Sequence, residues 1–255
     1  MELNFKKLGN GEPLIILHGL FGSLDNWLTL AKKLSEQFEV FLVDARNHGQ
    51  SPHKETFNYD VMADDLYGFM MQHNIIDPIV LGHSMGGKTA MQFAMNYPTQ
   101  LKKLIVADIA PKAYPVHHTS IINGMLSLNF DVITSRKEAD AELSKHIQDP
   151  STRQFILKNL YWVEKEKLAW RFNLNVINRD IEIIGQGIEN IKPFEKPTLF
   201  VRGTKSNYIT EKDYTQITTI FTNAAIKSID SGHWVHAEKP QEFFALLSSF
   251  LLENN

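Results

Sequence analysis

Residues Leu81–Gly87 read LGHSMGG and contain the pattern Gly-x-Ser-x-Gly, with Ser84 at its centre. The apolar run Pro78–Leu81 before it is typical of a buried strand, and Lys88–Met95 after it has the pattern of a helix. A serine between a strand and a helix must lie in a tight, strained turn, where flanking glycines let backbones approach closely. This context predicts a nucleophile elbow that presents the Ser84 hydroxyl beyond the end of a strand.

Around this turn, short apolar runs alternate with helical patterns as far as Asp108, as in a mostly parallel sheet flanked by helices. From about residue 111 to 191 the alternation stops, and helical segments with aromatic residues, such as 155–162, take over. We therefore expect an α/β fold with a hydrolase core made of residues 1–110 and 192–255. A helical cap, residues 111–191, is expected after the sixth strand, where it would cover the ends of parallel strands at which ligands bind.

The composition excludes several classes of function. Lys and Arg number 26 against 29 Asp and Glu, so no basic surface is predicted for nucleic acid or for a membrane. Cysteine is absent, which excludes disulfides, thiolate metal sites and a cysteine nucleophile, and fits a reducing compartment. The first residues lack the order of a signal peptide, and no apolar run approaches the length of a membrane span. We expect a soluble, cytoplasmic protein with a small-molecule substrate and no metal.

A glycine-rich loop follows the predicted strand Pro13–Leu17, with the sequence HGLFGS over residues 18–23. In hydrolases with an elbow, this loop lies beside the nucleophile and supplies part of the oxyanion hole. We therefore predict that the backbone N–H groups of Leu20 and Met85 bind the oxyanion. The alternative is an ordinary glycine-rich turn.

Four histidines compete for the role of general base. His233 follows a predicted strand and a glycine late in the chain, where hydrolases of this order place their base. His236 is its rival, but it leads into the terminal helix. His18 and His83 are expected to be packing and hydrogen-bonding residues. We therefore predict that His233 is the general base.

The acid of the predicted triad is Asp108. In most hydrolases with this chain order the acid follows the strand after the cap, but here the loop 202–208 contains none. Glu211 and Asp213 come soon after, where an acid more often caps a helix. Asp108 ends the strand that follows the nucleophile strand, and neighbouring parallel strands end at one edge. Alternatively, Asp108 only binds backbone amides at the start of the cap.

These motifs, taken together over nearly the whole chain, resemble the YbfF-type bacterial esterases of the α/β-hydrolase superfamily. The motifs that carry the resemblance are HGLFGS at 18–23, DNW at 25–27, 44–52, GHSMGGK at 82–88, DIAP at 108–111 and GHWVHAEKP at 232–240. The resemblance implies hydrolysis of carboxylic esters and thioesters, including acyl-CoA-like substrates, with no cofactor. Arg171 in the cap motif WRFN and Trp234 beside His233 are then expected to bind substrate. Arg171 has an alternative role, with its stem on Trp170 and its head on a carboxylate.

The mechanism expected is nucleophilic catalysis, in which Ser84 attacks an acyl carbonyl, His233 moves the proton and Asp108 orients the imidazole. Serine at this position disfavours epoxide and haloalkane hydrolases of the fold, which use an aspartate. Carbon–carbon bond hydrolases, lyases, peptidases and a receptor that retains the fold without turnover stay open.

Several polar residues are expected to be structural. We expect Arg46 to hold its loop through backbone carbonyls, and His48 to lie at the surface. Asp64 and Asp65 are expected on the solvated face of an amphipathic helix over residues 60–74. The three histidines of the cap are predicted to be exposed: His117, His118 and His146.

Overall fold

The structure is a computed structural model that describes residues 1–116, 118–165 and 167–252. Its strands are β1 Phe5–Leu8, β2 Glu12–Leu17, β3 Phe38–Val43, β4 Ile79–His83, β5 Lys103–Ala107, β6 Leu160–Glu164, β7 Lys167–Trp170, β8 Thr198–Gly203 and β9 Ala224–Ile229. Its α-helices are α1 Leu28–Leu34, α2 Tyr59–Gln72, α3 Met85–Asn96, α4 Thr119–Leu126, α5 Arg136–Leu143, α6 Pro150–Leu157, α7 Leu174–Gly185, α8 Tyr214–Ile220, α9 Val235–Glu238 and α10 Pro240–Leu252.

Seven strands form the main sheet in the order β1-β3-β2-β4-β5-β8-β9. All neighbouring pairs are parallel except β1 and β3, which pair in antiparallel fashion. The central strands β4 and β5 are buried along their whole length, as parallel strands covered on both faces must be. The mostly parallel sheet flanked by helices, expected from the alternation of patterns, is therefore confirmed.

Helices cover both faces of this sheet because successive strand side chains point to opposite sides. One face packs residues such as Ile15 and Val80 against apolar side chains of α2, α3 and α8. The other packs residues such as Ile16 and Leu81 against α1 and α10. The sheet thus fixes where the ends of β2, β4, β5, β8 and β9 lie relative to each other.

The segment between β5 and β8 contains α4, α5, α6, the antiparallel hairpin β6–β7 and α7. It follows the fifth strand of the chain and not the sixth, because a single antiparallel strand precedes β2. It is also not wholly helical. Residues 155–162 were expected to form a helix, but α6 ends at Leu157 and β6 begins at Leu160. The aromatic and β-branched run Tyr161–Val163 favours a strand.

This insertion has its own apolar core, to which residues such as Ile122, Leu143 and Ile177 contribute. The cluster also contains Phe21 and Met85, which follow the carboxyl ends of β2 and β4. The insertion therefore packs on that end of the sheet. Within the described residues, no helix is both long enough and apolar enough to cross a membrane.

Candidate active site

Ser84 lies between β4 and α3 in a backbone conformation that is rare for a residue with a side chain. Its φ is 52° and its ψ is −117°, and its N–H donates to the carbonyl of Ala107 at 3.1 Å. Such strain persists only where the surroundings enforce it, and it clusters at functional sites. Gly82 is part of that enforcement, since a Cβ there would lie 2.1 Å from the carbonyl oxygen of Gly86. The half-buried Ser84 side chain lies at the junction of two cavities.

Asp108 is completely buried and also has a positive φ, of 50°. Its Oδ1 accepts the N–H of Gly203 at 2.9 Å, and its Oδ2 lies 2.8 Å from Nδ1 of His233. An ionised carboxylate can only accept, so the contact assigns the proton to Nδ1 and leaves Nε2 of His233 as an acceptor. The structure thus brings Asp108 and His233 together, and Ser84 lines the same cavity as His233.

Aromatic rings pack on both sides of this contact. The ring of Tyr208 stacks on the His233 imidazole, with centroids 3.9 Å apart and planes 20° from parallel. The ring of His83 lies 4.6 Å from that of His233, and its Nε2 donates to the His233 carbonyl at 2.9 Å. Burial holds the pKa of His83 well below its ordinary value, so His83 stays neutral. His83 therefore links the elbow to the loop that carries His233, as expected of a hydrogen-bonding residue.

Glu238 holds the same loop from α9. Its carboxylate accepts the N–H of Gly232 at 2.7 Å and that of Trp234 at 3.3 Å. These two amides flank His233 in the chain, so one side chain fixes the backbone on both sides of it. The sequence offered no local signal for this contact, which depends on the turn between β9 and α9.

The other candidates for the acid and for the base of the triad lie away from the contact between Asp108 and His233. Asp213 caps the 3₁₀ helix at Glu211–Asp213 through the N–H of Thr210 and forms an ion pair with Lys112 at 2.7 Å. Glu211 is exposed. His236 is buried and stacks on Trp27 with centroids 4.0 Å apart. Burial lowers its pKa to about 3.

The hydrogen bonds within the loop after β2 do not use the N–H of Leu20. The carbonyl of Gly19, in the same peptide as the Leu20 N–H, accepts both Nδ1–H of His18 at 2.8 Å and the N–H of Gly22 at 2.9 Å. The His18 tautomer follows from its Nε2, which accepts the N–H of Ala45 at 3.0 Å. Among the described residues, the Leu20 and Met85 amides have no hydrogen-bond acceptor. Both residues line a cavity that also contains Ser84.

Phe21, the next residue, has a φ of 57° and is held at both of its backbone polar groups. Its N–H donates to Nε2 of His48 at 3.2 Å, and its carbonyl accepts Nδ2 of Asn159 at 2.7 Å. Asn159 is buried and belongs to the insertion, directly before β6. One contact thus comes from the sheet domain and the other from the insertion.

His48 is therefore not at the surface, as expected, but completely buried. Its Nδ1–H donates to the carbonyl of Arg46 at 3.0 Å, and burial lowers its pKa to about 3. Asp65 was also wrongly expected to face solvent: it is buried and accepts two bonds from Arg46, at 2.5 and 2.8 Å. Arg46 holds the carbonyl of Thr56 as well, in agreement with its expected role. Both errors arise because the loop 44–52 packs on other segments of the core, with His48 on Phe21 and Arg46 on Asp65, which the sequence pattern does not reveal.

Lys88 was quoted in the elbow motif but given no role. It lies one turn into α3, is 1% exposed, and its Nζ donates to the carbonyls of Gly185 at 3.4 Å and of Gln186. The ring of Tyr114 lies 4.9 Å from the Nζ atom. Burial lowers the pKa of the Lys88 ammonium to about 7. Lys88 is the only charged residue of α3, and this was the available signal for the buried contact.

Tyr59 of α2 makes a similar contact, because its hydroxyl donates to the carbonyl of Ile184 at 2.7 Å. Ile184 and Gly185 end α7 and Gln186 directly follows it, in a region where carbonyls have no partner inside the helix. Core side chains therefore bind three consecutive carbonyls at the end of this insertion helix.

Two cavities meet at Ser84. The larger is a cleft of about 640 Å³ between α6 of the insertion and the segments that contain Trp27 and Trp234. The smaller is a pocket of about 40 Å³ whose walls include Tyr59, Lys88 and Ile184. Trp234 lines the cleft with His233, and its ring lies 5.5 Å from that of Phe155. Its contact with substrate stays a prediction.

Arg171 does not line either of these cavities. Its guanidinium lies 4.9 Å from the ring centre of Tyr161, because Tyr161 lies in β6 and Arg171 directly follows the partner strand β7. Within the described residues it forms no ion pair with a carboxylate, and Trp170 stacks instead on Phe172. Neither of its expected roles is therefore seen.

The histidines of the insertion differ from one another. His146 is exposed, as expected, whereas His118 is half-buried beside Phe21 and lines both cavities. His117 lies outside the described residues. Within the part of the chain that is described, no three His, Asp or Glu side chains are grouped to hold a metal ion.

Comparison with known proteins gives concordant matches. Residues 12–131 match the model of a protein family described as alpha/beta hydrolase fold. The sn-1-specific diacylglycerol lipase ABHD11 of Danio rerio is 38% identical over 256 residues, which cover 97% of this chain and 80% of that protein. The esterase YbfF of Escherichia coli is 35% identical over 245 residues, which cover 95% and 94%. A solved marine microorganism esterase superposes with a TM-score of 0.95 at 43% identity, covering 98% and 99% of the two chains.

Proposed function

Because this chain belongs to the α/β-hydrolase family, among its esterases and lipases of the YbfF type, we propose that it hydrolyses carboxylic esters through an acyl-enzyme on Ser84. The observation that carries the proposal is the 2.8 Å contact between Asp108 and His233, in a cleft that Ser84 also lines. A nucleophile, a base and a group that orients the base are the parts that nucleophilic catalysis requires.

In the first half of the reaction, Nε2 of His233 accepts the proton of the Ser84 hydroxyl as Oγ attacks the acyl carbonyl carbon. The carbonyl oxygen becomes an oxyanion, which accepts hydrogen bonds from the N–H groups of Leu20 and Met85. The ester bond then breaks, His233 gives its proton to the leaving oxygen, and the acyl group stays on Ser84.

In the second half, water attacks the acyl-enzyme and gives its proton to His233, and the carboxylic acid leaves as Ser84 regains its proton. Asp108 accepts Nδ1–H of His233 throughout, so that the imidazole keeps the tautomer with a basic Nε2. Its negative charge also stabilises the imidazolium that forms at each transfer.

The substrate proposed is a small-molecule carboxylic ester. Acyl thioesters, including acyl-CoA, extend this proposal on the basis of the motif resemblance, and the reaction needs no cofactor. The insertion, residues 111–191, is proposed to act as the cap of the site. The expected cytoplasmic location stays a prediction, which fractionation and immunodetection test.

Active-site labelling combined with turnover tests the proposal. We expect a fluorophosphonate probe to label Ser84 and the protein to hydrolyse p-nitrophenyl acetate repeatedly. Ser84→Ala should lose both while its circular dichroism and melting temperature stay close to those of the parent. Full activity of Ser84→Ala would contradict the proposal, and acylation without turnover would favour a receptor.

A further inference from the structure

The two cavities that meet at Ser84 differ in their relation to His233. The 640 Å³ cleft is lined by His233 and Trp234, whereas the 40 Å³ pocket is lined by Met85 and does not include His233. Leu20 lines both. The two sides of the nucleophile are therefore chemically different.

This difference decides which half of an ester enters which cavity. The base must give its proton to the leaving group, so the leaving oxygen has to lie on the side of His233. That side is the cleft. The acyl group then points away from His233, past the Met85 amide that is proposed to bind the oxyanion, into the small pocket.

The size of the pocket limits the acyl group. A cavity needs roughly 10–15 Å³ to hold one water-sized group, so 40 Å³ holds about three such groups. Two of its wall residues are held by hydrogen bonds, because Tyr59 and Lys88 each bind carbonyls at the end of α7. An acyl chain that extends toward Tyr59 or Lys88 therefore meets a side chain that can move only by breaking these bonds.

We infer that this enzyme is specific for esters of short acids, of about two to four carbons, with large leaving groups. The inference rests on the proposed function, which it deepens by naming the substrate class. The pocket selects the acid, and the cleft accepts the alcohol or thiol.

Two series of esters test the inference in the wild-type protein. In the first, p-nitrophenyl esters with acyl chains from two to twelve carbons keep the leaving group constant. We expect kcat/KM to fall at least about tenfold between the four-carbon and eight-carbon esters, since an ill-fitting methylene costs about 10-fold or more. In the second, acetates of methyl, benzyl and naphthyl alcohols keep the acid constant, and the larger alcohols should be hydrolysed at least as well.

Pocket variants should move the acyl preference. Ile184→Ala and Ile181→Ala remove wall side chains of the pocket, and each is expected to shift the best chain length upward. Phe155→Ala is the matched control, because it enlarges the cleft instead. It should alter the response to the alcohol while the order of acyl chain lengths stays the same. Melting temperatures show whether each variant is folded. Two pocket variants are used so that the test can still be made if one of them does not fold.

The outcomes separate this inference from the proposed function. Equal or better hydrolysis of long-chain p-nitrophenyl esters or of a long-chain diacylglycerol would overturn the inference and leave the esterase mechanism in place. So would a Phe155→Ala protein whose acyl preference shifts as the pocket variants do. If the proposed function itself is wrong, no ester of either series should be turned over.

Discussion

Oδ2 of Asp108 lies 2.8 Å from Nδ1 of His233, although 125 residues separate the two in the chain. Asp108 follows β5 and His233 follows β9, and β8 lies between these strands in the sheet. At the end of β8, Gly203 donates its N–H to Oδ1 of this carboxylate, and its lack of a side chain lets the loop before His233 come close. A Cβ at that position would lie 2.2 Å from the carbonyl oxygen of Gly232. The relationship thus depends on a glycine at the end of the intervening strand.

Replacing Asp108 by asparagine should lower kcat by up to about 10⁴-fold, because the amide favours the wrong imidazole tautomer. The fold should persist, since the side-chain oxygen of the new amide can still accept the N–H of Gly203. Steady-state kinetics with p-nitrophenyl acetate measure the effect. Asp213→Asn is the control, because Asp213 forms an ion pair with Lys112. If the control loses activity and Asp108→Asn retains it, the acid is assigned wrongly.

The two histidines of the last loop should respond differently to alanine. His233→Ala is expected to lower kcat at least about 10³-fold, whereas His236→Ala should lower it less than about 10-fold. His236 stacks on Trp27, and the low pKa of its buried imidazole keeps it neutral, so its loss should mainly lower the melting temperature. The measurements are kcat and thermal unfolding of both variants. The opposite ranking of kcat would make His236 the base.

Removing Asn159 should reduce kcat by about 10-fold or more with little change in KM, because the loop that carries the Leu20 amide loses the bond at the Phe21 carbonyl. The effect should be smaller than loss of an oxyanion donor, which costs about 10²–10³-fold. Kinetics of Asn159→Ala on a short ester give the two constants separately.

Asn173→Ala is the matched control for that variant. The side chain of Asn173 also joins the insertion to the core, through Asn47, and within the described residues it forms no hydrogen bond with the loop after β2. A loosened insertion would affect both variants alike. Equal losses of kcat would therefore show that Asn159 acts through docking of the insertion and not through the Phe21 carbonyl.

Lys88→Met should flatten the pH dependence of stability. The folded pKa of Lys88 is about 7 against an ordinary value of 10.5. Between these values the unfolded chain binds a proton that the folded protein lacks, so the unfolding free energy rises with pH. The contribution approaches about 1.4 kcal/mol per pH unit within the window. Below pH 7 both states bind the proton, and the slope from Lys88 vanishes.

Urea unfolding of the wild type and of Lys88→Met at several pH values from 6 to 10 measures this difference. Subtracting the two curves removes the contributions of tyrosines and histidines, which both proteins share. Parallel curves across the window would mean that the folded protein holds Lys88 with an ordinary pKa.

The sheet and the elbow could be predicted because both depend on local patterns. Buried parallel strands are continuous apolar runs, and a strand, a Gly-x-Ser-x-Gly turn and a helix follow one another directly in the chain. Asp108 could be nominated because the loop 202–208 contains no acid. Its contact with His233 then required only the order of neighbouring strands.

The environment of the site could not be predicted in the same way. His48 and Asp65 were expected at the surface because their own segments are polar, but both are buried, His48 against Phe21 and Asp65 against Arg46. The guanidinium of Arg171 was expected near substrate but lies over Tyr161, a pairing set by the hairpin. Burial by distant segments is not encoded in local periodicity, which explains these errors.

The contacts at the end of α7 have a consequence for how the insertion can change over time. Tyr59 and Lys88 bind main-chain carbonyls, and every residue type provides a main-chain carbonyl. Substitutions along α7 can therefore accumulate without removing these anchors, provided that the helix still ends at the same place. The length of this helix must therefore be preserved more strictly than its sequence. This holds both for divergence in evolution and for the exchange of insertions between enzymes by design.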